Sequence, residues 1–325
     1  MRAAPPVADR LAAVQALLAD DLAWIEATLG EVSLDGPAPG SAAARHLLSS
    51  GGKRIRPIAL LLSAACFGAV PPVARELAVV AELVHSATLL HDDVIDDGDA
   101  RRGVPAARTL WGNAVSVLAG DLLLVHALER TLRLAPDALP DLVSTLRSLV
   151  EGEIVQLRGR TELDVSESTY ERILRDKTAS LFAWATRTGA RVAGATPHQQ
   201  ELMARFGEQL GIAFQLVDDV IDYAGEGTGK TLLIDLREGK LTLPLVLAVA
   251  KHPDLVGALR RIHAGDTEPV ALVSRIVRES GACDVVRERA KQCTRVGLEA
   301  LAGLPPTPAR LVLERVATEL VSRAA

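Results

Sequence analysis

Aromatic side chains are what this sequence has least of: 4 Phe, 2 Tyr and 3 Trp among 325 residues. Since 49% of the chain is apolar all the same, a core has to be filled by Ala, Leu and Val. That favours helices packed through aliphatic faces, and the long stretches with apolar residues three and four apart agree. No run alternates clearly enough to predict a strand. Cysteine is scarce too. Cys66, Cys283 and Cys293 are odd in number and lack metal-site spacing, so they read as reduced thiols of a cytoplasmic protein. Charge of either sign is in little excess, and a net charge of −5 gives no reason to expect a nucleic acid as partner. Long hydrophobic runs are missing. The longest, residues 58–70, stops at Pro71-Pro72; it is too short to span a bilayer and suits a buried helix. Residues 1–6 lead into an amphipathic pattern and not into the apolar core of a signal peptide. No low-complexity linker or short-period repeat divides the chain. These absences leave a soluble all-α protein, one large helical bundle over residues 1–325.

Apolar spacing predicts helices over about 7–29, 57–67, 72–96, 113–132, 138–158, 197–223 and 241–252, with several more after Asp254. A loop around Gly36 to Gly40 leads to a basic turn at Gly51. Ser168-Thr169-Tyr170-Glu171 fits a capping box opening the helix that carries Lys177.

On that background one acidic pattern occurs twice. Asp92, Asp93 and Asp96 lie in Leu89-Leu90-His91-Asp92-Asp93-Val94-Ile95-Asp96; Asp218, Asp219 and Asp222 lie in Phe214-Gln215-Leu216-Val217-Asp218-Asp219-Val220-Ile221-Asp222. On a helix the first and third aspartates of each set stand one turn apart on one face, which makes each set a carboxylate claw. A helix alone opposes this, because like charges four residues apart cost about 0.2–0.5 kcal/mol. Gly98 and Gly225 follow the claws and put them in the last turns of their helices, where the macrodipole disfavours each anion by roughly 0.3–1 kcal/mol. A bound cation would offset both effects. All-oxygen ligation without histidine or thiol clusters suits a hard ion, magnesium before calcium or manganese, and magnesium commonly shares its sphere with substrate phosphate. Enough chain separates the claws for antiparallel helices to bring them face to face.

A phosphate needs further positive charge, and the sequence offers it close by. Gly51-Gly52-Lys53-Arg54-Ile55-Arg56-Pro57 puts three cations on a glycine turn opening a helix, an anion nest. Asp99-Ala100-Arg101-Arg102-Gly103, just past the first claw, adds two guanidiniums able to grip phosphate oxygens in pairs.

With these segments in order, the chain resembles the trans-polyprenyl diphosphate synthase family over nearly its whole length, in particular its medium- to long-chain, octaprenyl-type members. Besides the segments above, the resemblance rests on His85-Ser86-Ala87-Thr88 before the first claw, Gly120-Asp121, Glu151-Gly152-Glu153 with Gln156, Lys177-Thr178, Gly229-Lys230, and Asp235-Leu236-Arg237-Glu238-Gly239-Lys240 with Pro244. It implies an all-helical bundle of the isoprenoid synthase type with a central active-site cavity, usually a homodimer. Such an enzyme uses magnesium to condense an allylic diphosphate, farnesyl or geranylgeranyl, with isopentenyl diphosphate. The resemblance further implies that Asp92, Asp96 and Asp218 bind metal directly, with Asp93, Asp219 and Asp222 acting through water or from behind. Arg101, Lys177, Gln215, Lys230 and Lys240 would surround the allylic diphosphate, with Lys177, Thr178, Gln215 and Lys230 as the catalytic set. Lys53, Arg54, His85 and Arg102 would hold the isopentenyl diphosphate. His91 has no such assignment and reads as structural. Three magnesium ions, expected from the family, bring +6 against roughly −9 from six aspartates and one diphosphate, so lysines and arginines must supply the rest.

In this family the growing prenyl chain runs from the first claw down into the bundle. It passes the residues four and five before the first aspartate, here Thr88 and Ala87, and then Val84 and Ala81; none is bulky. This predicts a product of roughly C30 to C50, shortened by Phe at Ala87 or Thr88 because a packed wall cannot absorb a ring. The floor of the tunnel is not placed by the sequence, which leaves a geranylgeranyl product as the alternative. A lipophilic product implies transient membrane contact on release, without an anchor.

The chain departs from the family pattern in two places. The stretch Ala224 to Thr228 before Gly229-Lys230 is short, and Leu233 stands where relatives often carry Gly. The same stretch imitates a nucleotide-binding P-loop but falls one residue short of its spacing and follows an aspartate-ended helix instead of a strand. A terpene cyclase would not need the Lys53/Arg54 site, and a non-catalytic modulating subunit would be expected to have lost aspartates that are all present here.

Overall fold

Regular apolar spacing turns nearly every segment of this chain into helix. The computed structural model describes residues 7–223 and 233–322. In order these form α1 (Val7–Val32), α2 (Gly40–Ser49), α3 (Ile55–Ala65), α4 (Pro72–Ile95), a two-stranded antiparallel hairpin of β1 (Ala100–Arg101) and β2 (Val104–Pro105), α5 (Ala107–Trp111), α6 (Asn113–Leu134), α7 (Leu139–Glu162) and α8 (Glu167–Ile173). A π-helical turn, Leu174–Ala179, then leads into α9 (Ser180–Val192). There follow α10 (Pro197–Tyr223), α11 (Ile234–Arg237), α12 (Leu243–Lys251), α13 (Leu255–His263), α14 (Val270–Glu279), α15 (Ala282–Ala302) and α16 (Pro308–Ser322). The architecture is all-α, as the aliphatic composition implies. No helix among the described residues is long and apolar enough to cross a membrane.

The chain divides into two compact units. The first holds the described residues up to Leu142 together with Ala185–Met203 and Pro305–Leu313. Its centre is α4, which packs against α6, α3 and α1. The apolar run that ends at Pro71-Pro72 is α3, and its Leu60, Leu61 and Leu62 have no exposed surface; burying each contributes about 1.5–3 kcal/mol. Close approach is enforced at Gly189, where a Cβ would sit 2.2 Å from the Leu60 carbonyl oxygen. α4 opens on Pro72, a position where a missing N–H has no helical partner to lose.

The second unit holds Val143–Trp184, Ala204–Leu304 and the described residues from Glu314. Its core joins Tyr170 and Leu174 to Leu216, Val217, Val220 and Tyr223 of α10 and to Leu243 and Leu245 of α12. α12 packs on α14 and α15.

Three local features differ from the sequence reading. Residues 40–49 form α2, where only a loop was expected, and the hairpin at residues 100–105 is a pair of strands too short for any alternation to register. The cap of α8 is Ser166 and not Ser168: its side-chain oxygen accepts the Thr169 N–H at 3.4 Å.

Candidate active site

The first claw sits on the last turn of α4. The Asp96 N–H donates to the Asp92 carbonyl at 2.8 Å, which closes the helix, and the chain then turns through Asp97 at φ 53°. Asp92 and Asp96 are half-buried, one turn apart, as their spacing predicts. Asp93 is buried, at 1% exposure. Its Oδ1 accepts from Nε of Arg101 at 2.8 Å and also from Nη2, while the buried Oδ2 has no hydrogen-bond partner. Burial pushes the Asp93 carboxyl up, and Arg101 pulls it back. Arg101, expected at the allylic diphosphate, is therefore paired with the claw itself. Arg108 ties down the loop beyond, donating to Asp97 at 2.9 Å and to Asp99 at 3.0 Å.

Arg102 and Gly103 are the central residues of the hairpin turn, at φ 53° and 82°, the left-handed pair that a two-residue connection demands. Successive residues on a strand point to opposite sides. Arg101 reaches Asp93 while Arg102 lies against the glycine turn, where a Cβ on Gly52 would sit 3.1 Å from Arg102 Nη1 and 3.0 Å from Arg54 Nη1. Nη1 of Arg102 is buried without a hydrogen-bond partner. Half-buried Arg56 and His85 complete this cluster, and Lys53 is exposed beside it. Burial brings the Arg56 guanidinium down to about 10, against the pull of Glu82. His85 is held well below its ordinary value, first by burial and then by Arg56, Arg102, Arg101 and Arg54, so its imidazole is neutral at pH 7.

Arg54, expected to hold a diphosphate, has a different set of partners. It is buried at φ 46°, donating through Nε to Glu26, through Nη1 to Glu82 at 2.5 Å and through Nη2 to Glu26 and the Leu48 carbonyl at 3.0 Å. Its charge is committed inside the protein. Arg56 is the second residue of α3, just after Lys53 and Arg54.

The second claw closes α10. Asp218 and Asp222 are half-buried and Asp219 is buried at 2% exposure. Asp219 Oδ2 accepts from the Tyr170 hydroxyl at 2.7 Å and the Leu243 N–H at 3.3 Å, and Oδ1 accepts from Gln215 Nε2 at 2.9 Å. The Thr178 hydroxyl donates to Gln215 Oε1 at 3.3 Å, extending the chain of hydrogen bonds. Burial pushes the Asp219 carboxyl up to about 6 despite these donors, with Asp218 adding to the rise. Asp235 is pushed up to about 7, by burial first; Lys240 opposes this, and Asp219, Asp222 and Asp218 reinforce it. Lys240 Nζ lies 2.7 Å from Glu238 and 4.0 Å from Asp235.

Lys177 and Thr178 stand on the π-helical turn, a local overwidening of the helix common at functional positions. Lys177 is ion-paired with Glu153. Gly152 makes this possible, since a Cβ there would lie 2.9 Å from the Lys177 backbone N. Tyr170 and Glu153 were not singled out as site residues, because only the folded chain brings them to Asp219 and Lys177. Lys230 lies outside the described residues.

The donor set suits magnesium in kind: carboxylate oxygens at helix ends, without nitrogen or sulfur. Among the described residues no three His, Cys, Asp or Glu side chains converge closely enough to hold a metal by themselves. Of the positions expected to line the prenyl chain, Thr88 is half-buried, whereas Ala87, Val84 and Ala81 have no exposed surface.

The polyprenyl synthetase family pattern matches residues 40–280. The chain is 36% identical over 308 residues to the all-trans-nonaprenyl-diphosphate synthase (geranyl-diphosphate specific) of Rhodobacter capsulatus, covering 92% of this chain and 94% of that protein. It is 34% identical over 316 residues to the octaprenyl diphosphate synthase of Escherichia coli K12, covering 95% and 98%. Among solved structures, the polyprenyl synthase of Caulobacter crescentus CB15, complexed with calcium and isoprenyl diphosphate, superposes with a TM-score of 0.90 at 37% identity over 100% of both chains. The chain belongs to the polyprenyl synthetase family. It is a prenyltransferase that elongates an allylic diphosphate with isopentenyl diphosphate.

Proposed function

We propose that the chain makes an all-trans medium- to long-chain polyprenyl diphosphate, with the carboxylate claws holding magnesium and the two basic groups serving different diphosphates. The observation that carries this reading is the buried, unpartnered Nη1 of Arg102 beside Gly52, next to a histidine kept neutral by burial and by its cationic neighbours. Arg102, Arg56 and Lys53 would bind the diphosphate of isopentenyl diphosphate, and neutral His85 would donate one N–H to it. Lys177 and Lys240 would exchange Glu153 and Glu238 for the oxygens of the leaving diphosphate. Magnesium, when bound, would neutralise charge on that leaving group. The allylic C–O bond breaks with its electron pair going to diphosphate oxygen. The terminal double bond of the second substrate forms the new C–C bond, and the proton lost afterwards goes to the released diphosphate. Holding both partners aligned supplies the orientation that accelerates the bond-forming step.

Chain length is read from Thr88, Ala87, Val84 and Ala81, which put no ring in the way; the supporting relatives make octaprenyl and nonaprenyl diphosphates. A homodimer is supported by two uncovered apolar stripes. Val117, Leu118, Val125 and Leu132 on α6, and Val143, Val150, Ile154 and Leu157 on α7, are 37 to 63% exposed. A second copy of the chain would cover them. The working form is one catalytic domain per chain, in the cytoplasm, touching a membrane only to release product. The test is incubation with magnesium, isopentenyl diphosphate and farnesyl diphosphate, followed by chromatography of the dephosphorylated products. A ladder ending at a single alcohol of roughly C30 to C50 is expected, and Thr88→Phe should end it earlier. A ladder ending at geranylgeraniol would make this a short-chain enzyme, and no elongation from any allylic starter would overturn the reading.

A further inference from the structure

His91 precedes the first claw directly, and its contacts all lead to α6. Nε2 lies 3.1 Å from the Val117 carbonyl and 3.3 Å from Asp121 Oδ1. Both partners are acceptors, so Nε2 carries the hydrogen and donates to the pair. The imidazole lies against the backbone at Gly120, where a Cβ would fall 2.3 Å from Nε2 and 2.6 Å from Cδ2. No other amino acid fits under the ring. One residue earlier the grip runs the other way: the buried Ser116 hydroxyl of α6 donates to the Leu90 carbonyl at 2.9 Å. The turn of α4 just before Asp92 is thus held to one turn of α6, residues 116–121, at two successive positions. Beyond it, helical hydrogen bonding ends within a few residues.

We infer that His91 is a positioning residue for the elongation reaction: seated on Gly120, it fixes the rotation and height of the last turn of α4, and with it where Asp92 and Asp96 point. The residue touches neither substrate nor metal. Its effect is carried by the backbone of Leu90 to Asp92. Helix ends fray when nothing holds them, and a displacement of about 1 Å at a catalytic group costs up to roughly a hundredfold in rate.

The kinetic part of this inference rests on the elongation reading, so its test has an arm that does not. Hydrogen exchange on metal-free protein should show the amides of Ile95 and Asp96 opening faster in His91→Ala while the rest of α4 keeps its protection. In turnover, His91→Ala should raise the magnesium and allylic-diphosphate concentrations for half-maximal rate by roughly tenfold or more, with the KM for isopentenyl diphosphate unchanged. His91→Gln, whose amide N–H reaches the same acceptors, should restore most of the loss. Gly120→Ala should copy His91→Ala by pushing the ring away, and the double variant should be no worse than either single one. Wild-type exchange at the end of α4 in His91→Ala would overturn the inference. So would equal losses toward both substrates, failure of Gln to rescue, or additive losses in the double variant. A wild-type chain that fails to elongate while the exchange result holds would remove the enzymatic reading and leave the positioning role standing.

Discussion

The central aspartate of the first claw, Asp93, is met by a guanidinium; its counterpart in the second, Asp219, is met by a phenol, an amide side chain and a backbone N–H. The two motifs have the same spacing and the same place at the end of a helix, yet the central aspartate of one meets a charge and that of the other neutral donors. At the first stands Arg101; around the second stands a further carboxylate, Asp235, whose charge Lys240 opposes. Burial among neutral donors and further carboxylates pushes Asp219 and Asp235 up to about 6 and 7. Identical ligands do not make identical sites. The buried aspartate of the first claw meets a cation of the protein's own, that of the second only neutral groups.

The sharpest way to break this comparison lies in the basic cluster. Arg54→Met leaves buried Glu82 and part-exposed Glu26 without their cation and should cost about 3–5 kcal/mol of stability, seen as a lowered denaturation midpoint. Arg102→Gln, one hairpin away, should leave the midpoint nearly in place and instead raise the KM for isopentenyl diphosphate at least about tenfold. If the two substitutions behaved alike, the separation of structural from substrate-facing guanidiniums would fail. Next in size, Asp218→Asn should lower kcat by roughly a hundred- to a thousandfold, the loss typical when one stabilising group is taken from a charged transition state, with the fold intact by circular dichroism.

A smaller effect follows from pH. A carboxyl whose folded pKa lies above its unfolded value binds more protons when folded across the interval between the two, so stability falls as pH rises through that interval. For Asp219 and Asp235 the interval runs from the ordinary aspartate value of 3.8 to about 6 and about 7. The metal-free protein should melt at higher temperature at pH 5 than at pH 8, and magnesium should raise the melting temperature more at pH 8. Asp219→Asn should flatten both responses. An unchanged pH dependence in that variant would remove Asp219 from the account.

Much of this was legible beforehand because it is local. α4 and α10 were placed to within a residue by apolar spacing and terminal signals, and the claws by their repeat. The hairpin was not, since its strands have only two residues each, and what fixes it is Arg101 meeting Asp93 and the left-handed Arg102-Gly103 turn. α2 was missed because its alanines and serine follow a proline-glycine stretch that reads as loop. The site was legible in its residue types and less so in its division of labour. Nothing in Lys53-Arg54-Ile55-Arg56 says that Arg54 turns inward to Glu26 and Glu82, because those carboxylates come from α1 and α4. The pairing of Tyr170 with Asp219 likewise spans distant parts of the chain and is set by packing alone.

Magnesium titration without any diphosphate, followed by calorimetry on the wild type, Asp92→Asn and Asp218→Asn, tests the contrast between the claws most directly. The account predicts binding heat in the wild type that survives in Asp92→Asn and disappears in Asp218→Asn, because the central aspartate of the first claw already meets Arg101 before substrate arrives, whereas that of the second meets neutral donors. Heat lost in Asp92→Asn and kept in Asp218→Asn would contradict it.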